Sequence, residues 1–195
     1  ETFNEILSSG CKLKLQIKVA CGMNRLGFKD SKEQILSIQS SAGYIRTLSI
    51  GEVFYYGNYN DEPLEWTILD IQNNQVLAIT TDAIERMPYN NTRTDVTWAS
   101  CSLRTWLNDD FMNEAFSSEE QLRIITTTVS PGNNPNYSTD AGVTTEDKVF
   151  LLSIDEANQY FISDRARRCD YDVSSCCWWL RSPGDDQNNA ADVIG

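Results

Sequence analysis

Histidine is missing altogether from this 195-residue sequence. Its absence removes every Ser-His-Asp and Cys-His device, zinc sites built on paired imidazoles, and the side chain that ordinarily shuttles protons at neutral pH. Glycine is sparse, and Gly51, Gly57, Gly132 and Gly142 stand alone rather than gathering into a phosphate-binding loop. No Cys-x-x-Cys pair occurs, so a zinc ribbon is not expected. No apolar run approaches the ~18 residues of a membrane span. Residues 1–10 lack a basic start followed by an apolar stretch, so no signal peptide is expected there. Familiar enzyme classes are hard to build from such a chain.

Positive charge is scarce as well. Lys plus Arg number 16 against 28 Asp plus Glu, a formal charge of −12. Residues 51–195 hold 9 basic and 24 acidic side chains, with Lys148 their sole lysine, whereas residues 1–50 hold 7 and 4. Nucleic acid and anionic lipid are bound through Lys and Arg, so neither is an expected partner. Solubility accounts for most of the scattered acid, and the sharper alternative is a cationic partner or a calcium ion. The 5 Trp, 8 Tyr and 7 Phe indicate a folded chain with a real core.

Lys12-Leu13-Lys14-Leu15-Gln16-Ile17-Lys18-Val19 alternates strictly, which predicts a half-buried strand, and its lysines favour a sheet edge. Asp30-Ser31-Lys32-Glu33 reads as a capping box opening a short helix. Residues 1–48 are expected to form a basic N-terminal subdomain, and 49–195 the body. Val53–Tyr56, Leu64–Ile71 and Val76–Ile79, separated by turn formers, predict a meander of two hairpins. Thr97 caps a helix carrying Trp98, Cys101, Leu103, Trp106 and Leu107, and Ser117-Ser118-Glu119-Glu120 and Ser153-Ile154-Asp155-Glu156 are further capping boxes. Residues 126–145 predict a long polar loop, and Lys148–Leu152 a buried strand. Arg181 is expected to pair with a carboxylate inside the fold.

Cys177-Trp178-Trp179-Leu180-Arg181-Ser182-Pro183-Gly184 is a dense aromatic run closed by a sharp turn. With Glu65-Trp66, Tyr89-Asn90, Asp95-Val96-Thr97-Trp98, Leu103–Asn108, Ile125–Val129 and Asp147–Ser153, it resembles a family of uncharacterised bacterial domains marked by a Trp-Trp-Leu-Arg-Ser-Pro motif. The resemblance covers roughly residues 51–192. It implies an α+β, C-type-lectin-like fold, with short helices around small antiparallel sheets, similar to formylglycine-generating enzymes and to ligand-binding proteins diversified by retroelements. Members usually carry a longer segment between the positions of Cys169 and Cys176, and continue past the position of Gly195 through a Gly-rich hairpin. In those relatives the ligand-facing residues follow a Trp-containing strand. The matching residues here are Asp185, Asp186, Gln187, Asn188 and Asn189, joined by Tyr171 and Asp172 as candidate ligand-binding positions. These side chains donate and accept hydrogen bonds and can ligate calcium, although the EF-hand spacing is absent. No other cofactor is expected.

The cysteines are Cys11, Cys21, Cys101, Cys169, Cys176 and Cys177. Buried free thiols in a reducing cytosol are the expectation, with cell-surface or secreted placement as the alternative. Cys11 with Cys21 is one conceivable bridge, and Cys176 and Cys177 suit distant partners better than each other. The leading function is non-enzymatic recognition of a protein or glycan by the Asp/Asn loop. The alternatives are a cysteine-dependent oxidase or metal site at Cys169, Cys176 and Cys177, as the resemblance implies, or an assembly domain that oligomerises through its N-terminal strand.

Overall fold

In a computed structural model that describes residues 12–24, 48–172 and 174–194, the chain forms a mixed α+β fold of sheets and a few short helices. The capping box expected at Asp30–Glu33, and Cys11, lie outside the described residues. The meander is present as β3 (Val53–Tyr59), β4 (Glu62–Gln72) and β5 (Gln75–Thr80). Its two hairpins turn through Asn60-Asp61 and Asn73-Asn74, all four at positive φ, the left-handed geometry of tight turns whose twist matches the flanking strands. Gly57, at φ 73°, sits at an irregularity in β3 where a Cβ would lie 2.5 Å from the Phe116 ring. Only glycine fits both the backbone and the space.

The alternating N-terminal stretch is a strand, β1 (Lys12–Gln16), but not an edge strand. It lies between β5 and β8 (Val149–Phe150), parallel to both, in a five-stranded sheet ordered β3-β4-β5-β1-β8. Leu13, Leu15, Ile17 and Val19 are fully buried, and Gln16 and Lys18 nearly so. Apolar alternation predicts one buried face but cannot show whether another layer covers the other. Two expectations are corrected here: the sheet is mixed rather than antiparallel, and β1 is an inner strand with no free edge for strand addition. β2 (Ala20–Asn24) joins a second sheet, so the expected division between residues 48 and 49 does not separate the N-terminal strands from the body.

That second sheet is organised by β10 (Ser174–Pro183). β2 pairs along one side; β9 (Cys169–Tyr171) and β11 (Ala190–Val193) lie end to end along the other. A small ladder joins β6 (Thr127–Val129) to β7 (Thr145–Asp147), shortening the predicted loop.

A single helix from Thr97 is not formed. A 3-10 turn over Trp98–Ser100 gives way at Cys101, whose backbone is extended, to α1 (Ser102–Asn108). Next come α2 (Asp110–Ala115) and α3 (Ser118–Gln121), then α4 (Ile154–Tyr160) and α5 (Asp164–Arg167). The capping boxes Ser117/Glu120 and Ser153/Glu156 are present as the sequence predicts.

Two apolar clusters result. One gathers Leu13, Tyr56, Trp66, Trp98, Leu103, Leu107, Phe111 and Phe116; the other gathers Leu69, Ile79, Leu152, Cys176, Trp178 and Leu180. Each fully buried indole N–H finds an acceptor: Trp66 donates to the Tyr56 carbonyl at 2.8 Å, Trp98 to Asp147 at 2.9 Å and Trp178 to the Arg167 carbonyl at 2.9 Å. Arg181 pairs with Glu156 as expected, Nη2 to Oε1 at 2.8 Å, and also donates to the carbonyls of Ser130 and Leu151.

Candidate functional site

The Asp/Asn segment is the turn between β10 and β11, and it is fastened from several directions. Within the turn, Gly184 N–H donates to the Asn189 carbonyl at 3.0 Å and Asn189 N–H to that of Asp186 at 3.1 Å. Beneath it, the buried Asn134 amide donates to the Pro183 carbonyl at 2.9 Å, and Thr139 Oγ1 to that of Gly184 at 3.0 Å. Gln187 ties it to two other loops. Its Nε2 donates to the carbonyls of Val96 (3.2 Å) and Asp140 (2.9 Å), and its Oε1 accepts from Asp140 N–H at 2.7 Å. Its own carbonyl accepts from Val96 N–H at 3.0 Å.

Three loops are thereby cross-linked: the exposed run Asn91-Thr92-Arg93-Thr94-Asp95, the loop following β6, and the 184–189 turn. Asp185, Asp186 and Asn189 are exposed on this surface, and Asn188 is half-buried. The Asp185 carboxylate accepts from Asp186 N–H and the Asn189 side-chain oxygen from Ala190 N–H, so each of these side chains keeps further polar capacity. Among the described residues no hydrogen bond engages the Asp186 carboxylate or the Asn188 amide. Gln187 differs from its neighbours: it is a clip, with both ends of its amide used inside the protein.

Tyr171 and Asp172 lie elsewhere. They form the β9–β10 turn, at the opposite end of β10, roughly 30 Å away at the usual rise per residue. The Tyr171 hydroxyl donates to Glu85 at 3.1 Å, Tyr59 donates to the same carboxylate at 3.1 Å, and the Arg86 guanidinium lies 4.9 Å from the Tyr171 ring. Burial, with the Glu85 charge, pushes the Tyr59 hydroxyl up to about 12. On sequence these two residues group with the loop as candidate ligand-binding positions; the strand β10 holds them apart from it.

Residues that sequence reasoning left out of the site include Asp140, the 91–95 run and Tyr137, an aromatic side chain 52% exposed on the loop after β6. The polar, Asn-rich character of 126–145 was the available signal, but nothing in it indicates which turn it meets. Beside β11 a cleft of about 430 Å³ opens between Asn134, Ile154, Ala157, Arg167, Leu180 and Val193.

The cysteines divide across β10. Cys177 forms a disulfide with Cys21 of β2, 156 residues away, which overturns the expectation of free thiols for these two and the Cys11–Cys21 alternative. Pairing with a distant partner rather than with Cys176 follows from strand alternation, which points successive side chains to opposite faces. Cys101, Cys169 and Cys176 are free and buried. Cys177 is therefore not available as a free thiol beside Cys169 and Cys176 for the oxidase or metal alternative. Among the described residues, the one group of three potential ligand atoms within 4.8 Å is Cys21, Cys177 and Asp192, of which both sulfurs are committed to the bridge. The loop carboxylates Asp185 and Asp186 do not gather into such a group. No described helix is long and apolar enough to cross a membrane.

Residues 73–194, the greater part of the chain, match a family model described as Domain of unknown function (DUF6273). No curated protein matches the chain, and no solved structure does.

Proposed function

The chain belongs to the DUF6273 family, whose model runs from the β4–β5 turn through β11, and we propose that this member is a non-enzymatic recognition module. Its three-loop surface presents Asp185, Asp186, Asn188 and Asn189 to a protein partner with a cationic face. The carrying observation is the Gln187 clip: a turn rich in small polar side chains is held at fixed height by bonds to two neighbouring loops, so its outward groups are pre-organised. Small Asp and Asn side chains give adaptable hydrogen bonding, and Tyr137 supplies aromatic contact area nearby. Asp95, Asp140, Asp185 and Asp186 against the lone Arg93 give the surface its negative sign. We read the fold more finely as C-type-lectin-like, of the kind diversified by retroelements. The arrangement that supports it is a tryptophan-bearing strand, β10, running straight into the presenting turn. The Cys21–Cys177 bridge supports action in an oxidising compartment rather than the cytosol.

The test is a binding screen of the purified chain against protein and glycan panels, followed by the double substitution Asp185→Ala/Asp186→Ala. Binding should fall at least tenfold while the melting temperature holds, and the association rate should drop steeply as salt rises. A hit confined to neutral glycans, insensitive to salt, would replace the protein partner with a carbohydrate one. Binding that survives the double substitution would remove the turn from the site.

A further inference from the structure

Cys169 and Cys176 face each other directly across the antiparallel β9–β10 pair, with their Sγ atoms 3.2 Å apart and both residues 3% exposed. Neither thiol supports the loop surface, and neither bonds to the Cys21–Cys177 bridge on the other face of β10. Directly opposed cysteines in adjacent strands stand at a separation that a disulfide can span with side-chain rotation alone. We propose that Cys169 and Cys176 are a redox couple that hydrogen peroxide closes into a second disulfide, tying β9 to β10.

The neighbouring groups set the order of events. The S–H···S contact between them, in which either sulfur can donate, lowers the Cys176 thiol from its ordinary value; the same contact, reinforced by burial, pushes Cys169 up. In the proposed couple the first attack is assigned to Cys176. Its thiolate displaces hydroxide from peroxide, forming S–O as O–O breaks, and the hydroxide takes up a proton to leave as water. Cys169 sulfur then attacks the sulfenic sulfur. The S–S bond forms, S–O breaks, and the second hydroxide leaves as water with the Cys169 proton. Two thiols lose two electrons and one peroxide gains them.

Access is through β9. That strand is only three residues long and its ladder partner is β10 alone, supplemented by Asp82 and Ala83 contacts to Asp170. Brief opening of so short an edge admits a molecule as small as peroxide. Cys101 is the internal control: it is fully buried with no thiol beside it among the described residues, and burial pushes it up to about 11.

Trypsin cutting after Arg168 and Arg181 leaves Cys169, Cys176 and Cys177 on one peptide, joined to the Cys21 peptide by the existing bridge. Intact protein is mapped by mass spectrometry under non-reducing conditions, as purified and after graded peroxide, with alkylation before digestion. The expected result is that this linked peptide loses two hydrogens and both alkylation sites together, that Cys101 stays alkylatable, and that amides of residues 169–171 exchange at least tenfold more slowly. Cys169→Ala should instead leave Cys176 accumulating oxygen. The proposal is overturned if the wild-type peptide gains oxygens without the internal bond, or if peroxide consumes Cys101 as fast as the pair. It is equally overturned if the native pair stays reduced under peroxide that bridges the same cysteines in urea.

Discussion

Replacing Gln187 by alanine separates holding the loop surface from presenting it. The side chain makes three hydrogen bonds, two from Nε2 and one to Oε1. At about 0.5–1.5 kcal/mol each, and discounted because Gln187 is only half-buried and Asp140 exposed, the loss should total about 1–3 kcal/mol. For a chain of this length that lowers the melting temperature by about 2–12 °C. The backbone bond from Val96 N–H to the Gln187 carbonyl survives, so native-state hydrogen exchange should accelerate at the Asp140 amide and much less at Val96. Gln187→Glu sharpens the case. It keeps the shape and the acceptor but sets a carboxylate oxygen against the carbonyls of Val96 and Asp140, so it should cost more than alanine at pH 7 and recover towards the parent in acid. Asp185→Ala with Asp186→Ala, which touches no cross-loop bond, should stay within about 0.5 kcal/mol of the parent. The inverse pattern, a neutral Gln187→Ala and a destabilising double substitution, would refute the division of roles.

Asp147, 1% exposed, collects Trp98 Nε1, Thr145 Oγ1 at 2.6 Å and Arg104 Nε at 2.7 Å. Asp147→Ala strands a buried indole N–H and a guanidinium and should cost about 3–5 kcal/mol in urea titration; a loss under 1 kcal/mol would mean that the site relaxes. Cys21→Ser should destabilise by about 2–5 kcal/mol, and reductant should lower the parent's melting temperature but not the variant's by the same route. Burial, with the Asp185 charge behind it, raises the Asp192 carboxyl above its ordinary 3.8. A raised folded value means that the associated stability is full below 3.8 and is lost as pH climbs through the folded pKa. Asp192→Asn should thus be more stable than the parent at pH 7, with the gap narrowing in acid. A gap that widened in acid would reverse the sign of the effect.

Local signals in the sequence carry most of the elements. The hairpin turns at Asn60-Asp61 and Asn73-Asn74, the capping boxes at Ser117 and Ser153, and the Arg181 ion pair are decided within a few residues or by the chemistry of burying one charge, so the order of residues is enough to reveal them. What failed to show was long-range. The alternation of Lys12–Val19 is the same whether a strand is at an edge or between two parallel neighbours, because only the covering layers differ. The pairing of Cys21 with Cys177 depends on β2 meeting β10 across 156 residues. Tyr171 and Asp172 are candidates for the same site by residue type alone, and ten residues of extended chain carry them to the far end of β10. The Gln187 clip was invisible for the same reason: its partners lie 47 and 91 positions away.

The scarcity of positive charge takes on meaning only with the fold in view. Lys18 is 4% exposed, donates to the Thr81 carbonyl at 2.6 Å and lies 5.7 Å from the rings of Phe161 and Trp178. Arg181 is equally buried against Glu156, Arg104 is held by Asp147, and Arg167 reaches the Phe161 carbonyl and Asn158. Lys18 and Arg181 thus serve as internal struts, and Arg104 and Arg167 are half-buried against neighbouring oxygens, so their charge is matched locally and does little to offset distant carboxylates. Composition alone assigns the acidity to solubility. Once those cations are counted as locally matched, the three loops carry Asp95, Asp140, Asp185 and Asp186 with only Arg93 among them, and the recognition proposed for this surface calls for a partner drawn by its positive charge before contact.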